Sequence, residues 1–203
     1  MTATTPEGIK SVTLQDEYHG LKKGLKIELR EGVNLLVGDQ GCGKTSLLEL
    51  ISGKDEDLKM ELHELSQNNG IEFVHFDTEK MNPRTKGELP FGGDMMSHIA
   101  LQWSSHGEAM SAILMSKLDS FRGIVLIDEP ESGLSIRSQY KLAGSFKKAA
   151  GRGCQLIVAT HSIILMEAFA EVYSLEHKKW MKADEFIVTQ KEPKAKKSKA
   201  KKP

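Results

Sequence analysis

Three short stretches of this chain hold residue types suited to gripping and attacking a phosphate. The first is GDQGCGKTS, Gly38 to Ser46. It fits the pattern G-x-x-x-x-G-K-[ST] and sits between an apolar, strand-like run, Val33 to Val37, and a helix-like run, Ser46 to Ile51, which is the setting that pattern needs. Gly38, Gly41 and Gly43 allow a tight turn. The backbone N–H groups of Asp39, Gln40, Cys42 and their neighbours through Ser46 then face one centre, reinforced by the positive end of the helix. Lys44 is placed to reach the β- and γ-phosphates of a nucleotide, and the Thr45 hydroxyl to ligate Mg2+.

The second stretch, IVLIDEPE, has a short apolar run, Ile124 to Ile127, that reads as a buried strand of a parallel sheet. Asp128 and Glu129 follow at its carboxyl end, where open α/β sheets bind their ligands. Asp128 suits a Mg2+ shell and Glu129 suits the orientation of an attacking water. In the third, Gln155 to Ala159 is another strand candidate, and it runs into Thr160, His161 and Ser162. That brings His161 to the same sheet edge, where it would hydrogen-bond a γ-phosphate or the water.

The order and content of these stretches resemble the ATP-binding cassette ATPases. GDQGCGKT matches their Walker A motif, IVLIDEPE their Walker B, SGLS the D-loop position, and His161 in ATHS the switch histidine. The signature is matched by Ser104, Ser105, His106, Gly107 and Glu108, ahead of a helix-like run from Ala109 to Leu118, with Ser105 lying 23 residues before Asp128. Together with FDTEK, Phe76 to Lys80, and DEPE, the chain looks like small soluble cassette-type ATPases of bacteria and phages over about Val12 to Tyr173.

That resemblance implies an α/β fold of the P-loop class, an ATPase head with a mainly parallel central sheet and antiparallel strands near the N-terminus. It implies binding and hydrolysis of ATP with Mg2+. It also implies an ATP-dependent head-to-tail homodimer in which Ser105 and Gly107 of one subunit complete the site of the other. Tyr18 lies where the family keeps an aromatic that stacks on adenine, with His19 as the fallback; covering the sheet edge is the alternative role for Tyr18. Three departures stand out. His106 replaces a signature glycine, Ser135 replaces the D-loop aspartate, and no glutamine follows the strand Ile71 to Phe76. Asp77 or Glu79 would take over the missing glutamine's contact, unless they are only the polar end of a strand.

The remaining pattern sets the scaffold. Strands are expected near Ser11 to Leu14 and Leu25 to Leu29. Asp55 to Asn69 reads as a surface helix, or as the continuation of the helix before it, on the spacing of Leu58, Leu62 and Leu65. Met81 to Asp94 is a loop and Met95 to Trp103 a helix that either packs in a small helical subdomain, about 81 to 119, or faces a partner. Helices follow at Ser135 to Ala150 and Ile163 to Ala170, then a closing strand or hairpin from Val172 to Leu175 and Lys179 to Met181. Lys44 and Ser105 are 61 residues apart, too few for a long coiled-coil arm, and no heptads appear between them.

Composition agrees with one α/β domain, residues 1 to 190: 28% of residues are charged and 39% apolar. No apolar run approaches a membrane span and no leader pattern opens the chain, so a cytoplasmic location without a membrane partner is the expectation. The two cysteines, Cys42 and Cys154, form no metal or redox pattern. Cys42 is read as a small packing residue, with an acidified thiol beside Lys44 as the alternative. Residues 191 to 203 hold seven lysines and one glutamate, leaving the rest of the chain at net −6. This lysine-rich tail is expected to be disordered, and either touches nucleic acid or only aids solubility. Two functional classes therefore stay open beside the ATPase: an ATP-gated dimerisation switch with little turnover, and a DNA-associated accessory protein.

Overall fold

The structure, a computed structural model, describes residues 8–53, 58–62, 73–77 and 106–191. Among these, six strands form the central sheet in the order β5-β6-β7-β3-β8-β9. Four of them are β3 (Val33–Val37), β5 (Phe73–Asp77), β6 (Ile124–Asp128) and β7 (Gln155–Ala159), and all pair in parallel. β8 (Glu171–Ser174) also runs parallel to β3, and β9 (Lys179–Lys182) closes the edge as an antiparallel hairpin with β8. Strands β6 and β7 are buried at all five positions. A strand covered on both faces is mostly apolar, which is why Ile124–Ile127 and Leu156–Ala159 read as unbroken runs, with the polar Asp128 and Gln155 only at strand ends.

The period of two along each strand divides the core. Leu35, Val37, Val125, Ile127, Leu156 and Val158 face one cluster, while Leu36, Ile124, Leu126, Ile157 and Ala159 face the other. The first cluster is filled by α2 (His106–Ser120), α3 (Ile136–Gly151), α4 (Ile163–Phe169) and α5 (Ala183–Lys191), through side chains such as Leu114, Phe146, Leu165 and Phe186. The second is filled by α1 (Lys44–Gly53) and by a smaller antiparallel sheet of order β2-β1-β4. Its strands are β1 (Ile9–Leu14), β2 (Lys26–Glu28) and β4 (Leu58–Leu62). The layers are therefore helices, central sheet, then α1 with the small sheet, the mixed architecture expected from the sequence.

One reading fails. The segment expected to form a surface helix across Asp55 to Asn69 contains strand β4, paired antiparallel with β1 from Leu58↔Leu14 to Leu62↔Ile9. Leu58, Leu62 and Leu65 satisfy helical spacing, but Leu58, Met60 and Leu62 equally satisfy strand alternation. The open edge of β1 decides between them, because pairing there satisfies both backbones and seats Leu58 and Met60 on the second core cluster. Helix α5 was not anticipated, and it includes Lys191, which the sequence reading had assigned to the tail.

Gln155 fastens the two sheets. It is 1% exposed; its amide oxygen accepts from the Ile9 N–H at 2.8 Å, and its amide nitrogen donates to the carbonyls of Ile9 at 2.8 Å and Arg30 at 3.0 Å. A side chain on Gly8 would stand 2.5 Å from that amide oxygen, so glycine is required there. At the far edge Arg30 lies 4.0 Å over the Trp180 ring and 2.6 Å from Glu171. Such exposed pairs stabilise little; the Trp180 indole N–H, donating to the Glu28 carbonyl at 2.8 Å, ties the β8–β9 hairpin to β2.

Candidate active site

Strand order brings three chain segments to one edge. β7 is hydrogen-bonded to β6 on one side and to β3 on the other, so the carboxyl ends of all three lie side by side. Asp128 pairs with Ala159, Ala159 with Leu36, and Val37 with Ser174. Lys44, Asp128, Glu129 and His161 are thereby gathered as the sequence reading expected. The sheet's strand order also reverses here, since the chain returns to β3 from opposite sides with β7 and β8, and open α/β sheets bind ligands at such a point.

The glycine-rich loop is built as its residue types require. Gly38, Gly41 and Gly43 take φ values of 152°, 78° and 95°, which L side chains rarely adopt. Lys44 begins α1 and is 5% exposed, its ammonium donating to the carbonyls of Gly38 and Asp39 at 3.1 Å each. The loop's own carbonyls hold the cation beside the helix N-terminus. Thr45 is exposed and Ser46 half-buried. Cys42 is half-buried with its sulfur 3.9 Å from the Lys44 nitrogen. Its thiol is not acidified: burial pushes it above its ordinary value, helped by Glu176 and opposed by Lys44. The packing role is the one the structure favours.

Across the cleft, Asp128 is 7% exposed at the end of β6. Glu129 turns away from the strand with φ of 44°, a left-handed conformation costing a residue with a Cβ on the order of 1–2 kcal/mol. Its N–H donates to the Ala159 carbonyl at 3.0 Å, which holds the strained turn against β7. The Glu129 carboxylate lies 3.6 Å from His161 Nε2, both side chains half exposed. A cleft of about 570 Å³ is lined by Gly38, Asp39, Gln40, Glu129, His161 and, from α4 and α5, residues including Met166, Phe186 and Lys191.

Tyr18 belongs to a tight turn, its N–H and carbonyl exchanging hydrogen bonds with Leu21 at 3.0 and 2.8 Å. That turn abuts the phosphate loop: a Cβ on Gly43 would meet Leu21 Cδ2 at 2.5 Å. The Tyr18 and His19 rings stack 4.3 Å apart, so both aromatic candidates stand as one pair beside the loop. Ser104 and Ser105 lie outside the described residues, as do residues 78–80 of FDTEK, the helix proposed at Met95 to Trp103 and all of the tail after Lys191. Helix α2 begins at His106 and carries Gly107 in its first turn. Ser135 caps α3, its hydroxyl accepting from the Ser138 N–H at 3.2 Å.

Comparisons with known proteins agree with this fold. A family model described as "AAA domain, putative AbiEii toxin, Type IV TA system" matches residues 99–167. A cytochrome c biogenesis ATP-binding export protein of Novosphingobium aromaticivorans is 22% identical over 165 residues, 72% of this chain and 84% of its own. A hemin import ATP-binding protein of Rhodopseudomonas palustris is 27% identical over 190 residues, 73% of this chain and 70% of its own. Among solved structures, CbiO1 of Clostridium perfringens, part of the ABC transporter complex CbiONQ, superimposes with a TM-score of 0.60 at 16% identity, covering 91% of this chain and 92% of that one. Together these findings support a P-loop ATPase of the ATP-binding cassette type. The curated relatives of this ATPase are named for import and export, so the expectation of no membrane partner gains no support. No helix among the described residues of the ATPase is long and apolar enough to cross a membrane.

Sequence reading of the ATPase did not single out Leu21, Glu131, Gln139 or the cleft-lining face of α5. Glu131 lay within the quoted DEPE, but its contact is made to a residue thirty positions away, which no local pattern encodes.

Proposed function

We propose that this ATPase binds Mg-ATP at the β3–α1 loop, hydrolyses it by in-line attack of water, and does so as an ATP-dependent head-to-tail homodimer. The observation that carries the reading is that β3, β6 and β7 end side by side, so that the β3–α1 loop with Lys44, Asp128, Glu129 and His161 share one sheet edge, beside a cleft lined by Gly38, Asp39, Gln40, Glu129 and His161. ATP phosphates entering this cleft meet the loop N–H groups and draw the Lys44 ammonium from the Gly38 and Asp39 carbonyls. Glu129 orients the water and takes up its proton as the bond to the leaving phosphate breaks; His161, on the same side, senses the γ-phosphate. Thr45 and Asp128 offer the hard oxygen donors that Mg2+ takes together with substrate phosphates. When bound, the ion would neutralise charge on the β- and γ-oxygens. Tyr18, backed by its turn on Gly43, stacks on adenine.

Ser105 and Gly107 of the second subunit complete the site, so the monomer is a poor enzyme. Light scattering of Glu129→Gln with and without Mg-ATP, beside phosphate release by the wild type, tests this. ATP should double the variant's mass while the wild type turns over. A variant that stays monomeric with ATP bound refutes the signature role of Ser105. A second reading, an ATP-gated switch with little turnover, is favoured by Ser135, whose hydroxyl is engaged as a helix cap where the family has an aspartate. The partner moved by turnover is either a nucleic acid, met through the lysine-rich tail, or a membrane protein of the kind the relatives' names imply.

A further inference from the structure

Two side-chain contacts join the turn after β6 to the loop that carries His161. The carboxylate of Glu131 accepts the backbone N–H of His161 at 2.6 Å. On the other side of the histidine, the Ser162 hydroxyl donates to the amide oxygen of Gln139 at 2.7 Å, while the Gln139 amide nitrogen donates to the Leu134 carbonyl at 3.1 Å. Ser162 is fixed further by its own partners. Its hydroxyl accepts the Leu165 N–H at 3.1 Å as the cap of α4, and its N–H donates to Thr160 Oγ1 at 3.0 Å. The backbone of residues 160–162 is thus held at consecutive positions, and the held residue between the clamps is the histidine.

The turn that supplies the clamps is itself rigid. Ser132 N–H donates to the Glu129 carbonyl at 3.0 Å and Leu134 N–H to the Glu131 carbonyl at 2.9 Å. Glu131 therefore moves with Glu129, and Gln139 reads the position of Leu134. The second carboxylate oxygen of Glu131 is buried and accepts no hydrogen bond from a described residue. A carboxylate half satisfied in this way costs stability, which is a poor choice for a residue kept only to pack.

We propose that Glu131 and Gln139 are positioning residues that lock the His161 loop to the turn bearing Glu129, so that histidine and general base present a single fixed geometry to the γ-phosphate. This rests on the roles given above to Glu129 and His161. Any shift of the segment Ser132 to Ser135, where Ser135 leaves no carboxylate for contact across a dimer, reaches His161 through Leu134 and Gln139. Neither clamp touches nucleotide, so both act on turnover and not on affinity.

Steady-state ATPase kinetics with nucleotide binding and melting temperature measured in parallel test this. Glu131→Ala is expected to lower kcat at least tenfold with KM and ATP affinity within twofold. Glu131→Gln, which keeps an acceptor for the His161 N–H, should stay within about threefold of the wild type. Gln139→Leu should behave as Glu131→Ala does, which guards against one variant failing to fold. The decisive comparison adds Glu131→Ala to His161→Ala. If Glu131 acts through the histidine, the double variant is no slower than His161→Ala alone. Full additivity, or a loss confined to KM or melting temperature, overturns the proposal. Should His161→Ala itself turn over normally, the assigned role of His161 fails first and the positioning role falls with it, a result distinct from additivity.

Discussion

Gly43 is predicted to be the glycine of the phosphate loop least able to accept a methyl group, for a reason lying outside the loop. With φ of 95°, Gly43 is in a region that costs any L residue on the order of 1–2 kcal/mol. An added Cβ would also stand 2.5 Å from Leu21 Cδ2 and 2.8 Å from Leu21 Cγ. Leu21 is 4% exposed and packed in the second core cluster, so it has little room to yield, and such overpacking costs about 1–3 kcal/mol. Gly43→Ala should therefore lose roughly 2–5 kcal/mol of stability, the sum of strain and clash. Gly41 supplies the control: its φ is 78° but an added Cβ meets nothing within 4 Å, so Gly41→Ala should lose only the strain, about 1–2 kcal/mol. For a chain of this size each kcal/mol corresponds to about 2–4 °C in melting temperature, a gap that nucleotide-free thermal unfolding resolves. A double-mutant cycle with Leu21→Ala should show a favourable coupling of about 1–3 kcal/mol, because the second change removes the clash. Equal melting temperatures for Gly41→Ala and Gly43→Ala, or strict additivity with Leu21→Ala, would refute the packing argument.

Tyr18→Ala should raise the KM for ATP by about 5- to 30-fold, equivalent to the lower part of the range for stacking a base on an aromatic ring, and leave kcat within twofold; an unchanged KM assigns adenine to other residues. Both thiols are raised by burial, so the unfolded chain ionises first as pH climbs past about 8.5. Their contribution to stability is then present below that pH and lost above it as pH rises toward the folded values. Melting curves from pH 7 to 10.5 should fall less steeply for Cys154→Ala than for the wild type, and identical slopes would dismiss the linkage. Deleting residues 192–203 should abolish salt-sensitive binding to a polyanion such as heparin, with a slope set by the number of phosphates or sulfates neutralised. It should leave ATP turnover intact, and retained binding would move the contact onto the folded domain.

The chemistry-bearing parts of this fold were legible because each is local. A strand buried on both faces is mostly apolar, so Ile124 to Ile127 and Gln155 to Ala159 declared themselves, and the polar residues ending them became the site. The loop from Gly38 to Ser46 was legible because positive φ values restrict three of its positions to glycine. What escaped depends on residues remote in sequence. LKMEL satisfies two periodicities, and only the unpaired edge of β1 chooses the strand. Helix α5 buries only Ala183 and Phe186 fully, too sparse a stripe to stand out. Glu131 was in view, but nothing in its neighbourhood says that it will hold the backbone of His161. The acidified thiol offered as an alternative for Cys42 considered Lys44 alone, whereas desolvation is the larger effect there.

Gln155 stands at the opposite end of β7 from His161, and it is the residue that fastens the N-terminal sheet. Four buried residues of one strand, Leu156 to Ala159, and the buried Thr160 thus separate the fastening of the Tyr18-bearing layer from His161. A strand buried along its whole length does not fray from one end. In amide hydrogen exchange, β1 and the backbone around Thr160 should therefore belong to one cooperative unit, exposed together in the deepest opening of the molecule. The two ends of the nucleotide would then be gripped by parts of the protein that unfold as a single body.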